Sequence, residues 1–207
     1  MYAEAKFWDR MARKYARDPI KNMTAYEATL ERVRARLQPD NKVLEIGCGT
    51  GSTAMLLAGD VADYTGADVS GEMVAIAREK LAETPIDGLE FTVAPANETR
   101  FDPESYDAIL GFNLLHLLDN LPESIARARV LLKPGGLYIT KSPCLGDMGF
   151  HMRLLLPVMK LFYRVPFLGV FKRQELEREI EKAGFEIIET RVFDGAPHAR
   201  YIVAQKV

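Results

Sequence analysis

Three glycines at alternating positions directly follow a short apolar run near the N-terminal third of the chain. Gly47, Gly49 and Gly51 lie between a predicted strand at 42–46 and a predicted helix at 52–58. Glycines at such a junction let a ligand approach the main chain closely, and the first N–H groups of the helix have no partner within it. The repetition favours a ligand-binding loop over a simple tight turn, which is the alternative explanation.

The residues around this loop narrow the chemistry of the ligand. A loop for nucleoside triphosphates would end in Lys followed by Ser or Thr, and a dinucleotide loop would place its third glycine one residue later. Glu45 would repel a pyrophosphate but suits a ligand with an ammonium group and a positively charged sulfur. Asp68 ends the next predicted strand, where an acid can accept from both ribose hydroxyls. A solvated strand-end carboxylate for Glu45, and an Asx turn or helix cap for Asp68, are the alternatives.

The run Glu-Ile-Gly-Cys-Gly-Thr-Gly at 45–51 resembles motif I of the class I S-adenosylmethionine-dependent methyltransferases. The resemblance covers about residues 40–142 and implies S-adenosylmethionine as the cofactor, with S-adenosylhomocysteine as the product. It implies that the loop lies against the methionine part and that Glu45 organises the loop and the amino end. Cys48 fits a small spacer within the loop rather than a nucleophile, since no basic partner is near it in sequence.

The same resemblance assigns the remaining parts of the cofactor. It implies that Asp68 binds the ribose and that the adenine lies between the segments 69–73 and 94–98, although family members often carry an Asp where Asn97 stands. The segment 106–117 resembles motif IV, which implies that the backbone around Phe112 and Asn113 meets the methionine end. The predicted cofactor-binding residues are therefore Glu45, Gly47, Cys48, Gly49, Gly51, Asp68, Val69, Met73, Ala96, Asn97, Phe112 and Asn113.

His116 is the candidate catalytic residue, because it is the one group on this loop with a pKa ordinarily near neutrality. A histidine packed and hydrogen-bonded among leucines is the alternative. Methyl transfer also needs no base when the sulfonium leaves readily and the reacting atoms are aligned. The segment lacks the Asn/Asp-Pro-Pro-Tyr/Phe signature of enzymes that methylate base amines, and the net charge of -2 is unlike that of a nucleic-acid binder. These two features disfavour a nucleic-acid partner, although the missing signature does not exclude other RNA substrates.

The elements that must position these residues alternate along the chain. Strands alternating with helices predict an α/β, Rossmann-like, doubly wound and mainly parallel sheet with an antiparallel C-terminal edge hairpin. The predicted strands cover 42–46, 63–68, 89–94, 106–112, 137–141, 186–193 and 200–206, with helices at 52–58, 72–81, 121–132 and 174–183, a helical stretch over 1–37 and a turn at 133–136.

The length of 207 residues suits one methyltransferase domain. We divide it into an N-terminal helical cap (1–40), a cofactor-binding core (41–142), an apolar lid insertion (143–173) and a C-terminal helix with its hairpin (174–207). The insertion is apolar with only positive charges over most of its length, which fits a lid, a homodimer contact or, over 150–173, a peripheral membrane contact. Phe7, Trp8 and Tyr15 are expected to close the same crevice from the other side, or simply to pack together.

Composition sets the remaining expectations. Two cysteines give no disulfide framework and no zinc spacing, so we predict no metal site and a reducing, cytoplasmic compartment. We find no apolar signal segment and no run long enough to span a membrane. The predicted function is methyl transfer from S-adenosylmethionine to a small acceptor, with a lipid-like molecule as one candidate. A non-catalytic S-adenosylmethionine sensor is the alternative, and a nicotinamide oxidoreductase is disfavoured by the glycine spacing.

Overall fold

The structure is a computed structural model that describes residues 3–98, 100–149 and 167–207. Within these ranges one sheet has the strand order β3-β2-β1-β4-β5-β7-β6. The strands are β1 (Lys42–Ile46), β2 (Asp63–Asp68), β3 (Leu89–Val93), β4 (Tyr106–Phe112), β5 (Leu132–Pro143), β6 (Phe185–Arg191) and β7 (Ala199–Lys206). Strands β1 to β5 are parallel, whereas β7 runs antiparallel to both β5 and β6. The predicted fold class, including the antiparallel edge hairpin, is confirmed.

Helices connect the strands at positions close to those predicted. They are α1 (Ala3–Arg17), α2 (Met23–Arg34), α3 (Ala54–Leu57), α4 (Gly71–Glu83), α5 (Leu121–Leu131) and α6 (Arg173–Lys182). Asn22 separates α1 from α2 and caps α2, because its side-chain oxygen accepts from the backbone N–H of Ala25 at 2.9 Å. The predicted helix at 52–58 is shorter than expected, since α3 passes into a 3₁₀ turn at Ala58–Asp60.

The predicted turn at 133–136 is instead part of β5. Leu132 pairs with Tyr106 and Leu137 pairs with Ala108, so four residues of β5 lie opposite a single residue of β4. Gly135 has φ +75° in this irregular stretch, a conformation that glycine adopts readily. The turn signal in the sequence thus marks a bulge at the start of a strand.

Alternating side chains of the sheet are buried on opposite faces. Val43 of β1 packs in a cluster with Leu30 of α2 and Val74 of α4, whereas its neighbour Leu44 packs in a second cluster with Ile125 of α5. Both faces are therefore covered, as a doubly wound sheet requires. Among the described helices, none is long and apolar enough to cross a membrane.

The strand order places a ligand site at one edge of the sheet. From β1 the chain goes first to β2 on one side, and later to β4 on the other side. The two crossovers diverge at the carboxyl ends of β1 and β4, which leaves a crevice between them. The predicted glycine loop and the loop after β4 both lie at this point.

Candidate functional site

An open cleft occupies this crevice, with about 760 Å³ of empty space. Its lining residues come from α1, the glycine loop, the ends of β2 and β3, and the loop after β4. They are Glu4, Trp8, Tyr15, Ile46, Gly47, Gly49, Asp68, Val69, Met73, Ala94, Pro95, Ala96, Phe112, Asn113, Leu114, Leu117 and Leu118. None of these described lining residues is Lys, Arg or His, so the positive charge that a phosphate would need is not supplied there.

The glycine loop adopts a backbone that other residues would not tolerate. Gly47, Gly49 and Gly51 have φ values of +69°, +55° and +76°. A Cβ at Gly47 would lie 2.7 Å from Leu114 Cδ1, and one at Gly51 would lie 2.7 Å from Phe91 Cζ. Gly47 and Gly49 line the cleft, whereas Gly51 serves the packing of the loop against the sheet.

Asp68 joins the glycine loop to the start of α4. Its Oδ2 accepts from the backbone N–H of Gly49 and its Oδ1 accepts from that of Ser70, both at 2.9 Å. Burial raises the pKa of Asp68, although these two bonds oppose the rise. The Asx-type bond given above as the alternative is present, and Asp68 also lines the cleft, so its ribose role stays a prediction. Each carboxylate oxygen keeps a second lone pair for a ligand hydroxyl.

Glu45 lies beneath the cleft rather than in its lining. Its side chain is buried, and Oε2 accepts from the Tyr64 hydroxyl at 2.9 Å. Burial raises the pKa of Glu45 to about 8, and the negative charge of Asp68 adds to the rise. No cation of the described chain bonds to Glu45 or to Asp68. Glu45 beneath the cleft and Asp68 in its lining thus have no positive partner within the described part of the chain.

Helix α1 covers one side of the cleft. Trp8 and Tyr15 line it, whereas Phe7 is buried behind them with its ring centroid 5.0 Å from that of Trp8. Asp9 fixes the helix, since its Oδ1 accepts from Ser70 Oγ at 2.6 Å. The aromatic residues of the N-terminus therefore divide between cleft and packing.

The loop after β4 forms the opposite side. Phe112, Asn113 and Leu114 line the cleft, and the backbone N–H of Asn113 donates to Lys141 O at 2.7 Å. Asn113 has φ +52°, a left-handed conformation that is uncommon outside glycine. The backbone here is held in a special conformation at the edge of the site.

His116 belongs to a 3₁₀ turn at Leu115–Leu117 but is not among the lining residues. Its Nδ1 is buried and has no hydrogen-bond partner within the described residues. Burial lowers the pKa of His116 to about 4, so the ring is neutral at pH 7. Its role as a general base stays a prediction.

Eight of the twelve predicted cofactor-binding residues meet in this one cleft, and four do not line it. Cys48 is buried, and its thiol pKa is raised well above the ordinary value by burial. Asn97 lies outside the lining, with Nδ2 3.5 Å from Glu123 Oε1. Gly51 and Glu45 support the loop from behind and below. No local motif indicates Glu4, which also lines the cleft. The other lining residues that were not predicted are apolar, namely Ile46, Ala94, Pro95, Leu114, Leu117 and Leu118.

The predicted insertion at 143–173 is described only at its two ends, because residues 150–166 lie outside the described ranges. Gly146 N donates to Phe171 O at 2.8 Å, which joins the two ends. Gly169 N donates to His116 O at 2.7 Å, so the returning end lies beside the loop after β4. The predictions of a lid, a dimer contact and a membrane contact depend mainly on the residues outside these ranges.

A glycine loop, and an acid at the end of the next strand, at the switch point of a doubly wound sheet are typical of a nucleotide-binding α/β protein. Comparison with known proteins narrows this class. The family model for a methyltransferase domain matches residues 43–136. A demethylmenaquinone methyltransferase of Staphylococcus aureus is 28% identical, over 95% of this chain and 90% of that protein. One similar solved structure is an S-adenosylmethionine-dependent methyltransferase, described as a possible histamine N-methyltransferase, from Thermotoga maritima. It superposes with a TM-score of 0.74 at 23% identity, and the match covers 98% of this chain and 99% of that one.

Longer proteins also contain a similar segment. The polyketide synthase component of compactin nonaketide synthase from Penicillium citrinum is 40% identical over 47% of this chain. This chain spans only 4–7% of the length of that synthase and of the other polyketide synthases it matches. The similarity is therefore to one methyltransferase-like part of a multidomain protein.

Residues 43–136 of this chain thus match a methyltransferase domain, and its fold is the one found in solved S-adenosylmethionine-dependent methyltransferases. The residues of the cleft fit S-adenosylmethionine on structural grounds. The cleft combines closely approachable glycine backbone with Asp68 and lacks a basic side chain among its described lining residues. Such a site suits a positively charged sulfonium nucleoside better than a phosphorylated one.

Proposed function

We propose that this protein transfers the methyl group of S-adenosylmethionine to a small lipophilic acceptor. The observation that carries the acceptor class is the apolar wall of the cleft next to the glycine loop. It consists of Trp8, Phe112, Leu114, Leu117 and Leu118. An apolar wall of this kind gains free energy by removing a ligand's apolar surface from water, and it offers nothing to an anionic group.

Within this proposal the cofactor lies across the carboxyl ends of β1 and β2. The bound cofactor supplies a methyl group on a positively charged sulfur, which becomes neutral when the methyl leaves. Asp68 accepts from the ribose hydroxyls, while Gly47 and Gly49 let the methionine part lie against the main chain. Val69 and Met73 flank the adenine. Glu45 accepts from the Tyr64 hydroxyl below the loop and does not line the cleft.

The protein's own contribution to the reaction is then positioning and exclusion of water. Trp8 and Tyr15 on α1 cover the cleft, and Phe112 with Asn113 borders the methionine end. Alignment of acceptor atom, methyl carbon and sulfur in a closed site supplies much of the rate enhancement. We therefore assign residues 1–40 to the cap and 41–142 to cofactor binding. Residues 174–207 complete the sheet.

The names of similar proteins support a lipophilic acceptor. The Staphylococcus aureus relative is named for demethylmenaquinone, and the Penicillium citrinum relative is a polyketide synthase component. Both names refer to carbon-rich compounds, which agrees with the apolar wall.

Methyl-labelled S-adenosylmethionine, incubated with the purified protein and with separated lipid and aqueous metabolite extracts, tests the proposal. We expect label to enter organic-soluble products and the Asp68→Ala variant to lose this incorporation. Label only in aqueous products would contradict the lipophilic class. Tight binding of S-adenosylhomocysteine without incorporation into either extract would favour the non-catalytic sensor.

A further inference from the structure

Helix α1 lies along the cleft and presents three side chains to it, Glu4, Trp8 and Tyr15. With 1.5 Å rise per residue, the backbone positions of Glu4 and Tyr15 are about 16 Å apart along the helix axis. Tyr15 lies at the glycine-loop end, because a Cβ at Gly49 would be 3.9 Å from Tyr15 Cε1. Trp8 packs near Met73. The helix therefore runs beside the bound cofactor, from its methionine end toward its base.

The base end of the cleft follows from the anchors already described. Asp68 fixes the ribose, and the glycine loop takes the methionine part to one side. The adenine then extends to the other side, toward Met73 and the segment Ala94–Ala96. Glu4 belongs to this end of α1. It lies near Asp119, since burial first and the charge of Asp119 second raise the pKa of Glu4.

An adenine ring carries a 6-amino group, which donates hydrogen bonds and requires an acceptor. Asn97, the residue whose position suggests this contact, lies outside the lining with its amide toward Glu123. Glu4 is partly buried and lines the cleft. Within the described part of the chain its carboxylate makes no hydrogen bond or ion pair. An ionised carboxylate only accepts hydrogen bonds, so it is matched to an amino group and mismatched to a keto oxygen.

We propose that Glu4, on the N-terminal helix, accepts from the 6-amino group of the cofactor's adenine and selects adenine over a 6-keto purine. The assignment depends on the proposed position of the cofactor in the cleft. Under this assignment the base is recognised by α1, which covers the site, and not by the loop after β3.

The test compares two ligands that differ at the 6-position of the base and in the hydrogen that the 6-keto base carries on the neighbouring N1. S-adenosylhomocysteine carries the 6-amino group, and S-inosylhomocysteine carries a keto oxygen instead. Calorimetry is expected to show that the wild-type protein prefers the first by about tenfold or more, as for one hydrogen bond to a charged group. Glu4→Gln is expected to reduce the preference to about twofold, because an amide can rotate to donate or accept. A ratio of affinities does not change when a substitution merely loosens the helix.

Two further variants make the result decisive. Glu31→Gln, the same change on an exposed position of α2 away from the cleft, is the matched control and should keep the wild-type ratio. Asn97→Ala tests the competing residue. An unchanged ratio in Glu4→Gln, an equal loss for both ligands, or a collapsed ratio in Asn97→Ala would overturn the proposal for Glu4. Failure of the wild-type protein to bind either ligand would instead contradict the proposed position of the cofactor.

Discussion

Two regions of this molecule hold carboxylates in opposite ways, one half-buried and the other buried. At the outer edge of the sheet, Glu189 accepts hydrogen bonds from Arg32, Arg36 and Arg191 at 2.6, 2.7 and 2.8 Å. Burial alone would raise the pKa of Glu189, but these arginines lower it to about 2. Beneath the cleft, the one hydrogen-bond partner of Glu45 among the described residues is the Tyr64 hydroxyl, and burial raises the pKa of Glu45 to about 8.

The two regions differ in whether the protein itself supplies a positive partner for the carboxylate. Glu189 joins α2 to β6, and its charge is matched within the protein. Glu45 and Asp68 lack a cation among the described residues, so burial favours the protonated form of Glu45, and a cationic ligand would favour the ionised form of either acid. A carboxylate without a partner is costly to bury, and that cost favours a site shaped for a cationic ligand.

Asp68→Ala should give the largest effect of all. The substitution removes the acceptor for Gly49 N–H and Ser70 N–H as well as the proposed ribose contact. We expect the affinity for S-adenosylhomocysteine to fall by about 1–3 kcal/mol in calorimetry. Asp60→Ala, which removes an exposed acid paired with Arg34, serves as the control. Unchanged binding by a folded Asp68→Ala protein would show that Asp68 does not contribute to ligand binding.

Glu45→Gln should change how stability depends on pH. The native state keeps a proton on Glu45 up to about pH 8, whereas the unfolded chain releases it near 4.5. The folded protein therefore binds more protons in this window, and its unfolding free energy should fall as pH rises, by up to about 1.4 kcal/mol per pH unit. Urea midpoints measured from pH 5 to 8 should show a flatter slope in Glu45→Gln. A slope equal to that of the wild type would show that Glu45 is ionised in the native state.

Glu189→Gln should lower stability without affecting the ligand. We expect a loss of about 1 kcal/mol in unfolding free energy at pH 7, since the three arginines are partly exposed and lose one charged acceptor. The lowered pKa means that the wild-type advantage is present above pH 4.5 and is lost as pH falls toward 2. Glu186→Gln on the same strand is the matched control. Weaker binding of S-adenosylhomocysteine in Glu189→Gln would contradict the separation of the two regions.

His116→Gln should have the smallest effect. The side chain lies outside the cleft lining, so we expect label incorporation within about threefold of the wild-type rate under the assay conditions proposed above. A general base would instead contribute on the order of 10²–10⁴. A loss of that size, with binding of S-adenosylhomocysteine unchanged, would restore the catalytic role predicted from the sequence.

Sequence patterns predicted the sheet well because strand burial and glycine placement are local signals. The strands at 42–46, 63–68 and 106–112 have the predicted bounds, and Gly47, Gly49 and Asp68 lie in one cleft. The spacing of residues along the sequence could not indicate which of the predicted cofactor-binding residues point away from the cleft. Glu45 and Gly51 are within a few residues of the cleft, yet one residue's difference along a strand or loop reverses the direction of a side chain.

The sequence by itself determined the fold class, the glycine loop and the acid that follows β2, because each depends on residue type and position along the chain. Only the tertiary structure decided that Glu4, some forty residues before the loop, shares its cleft, that Asn97 turns aside, and that Glu189 meets three arginines. These contacts join residues distant in sequence. Their partners are set by how α1 and α2 pack on the sheet, which no local pattern encodes.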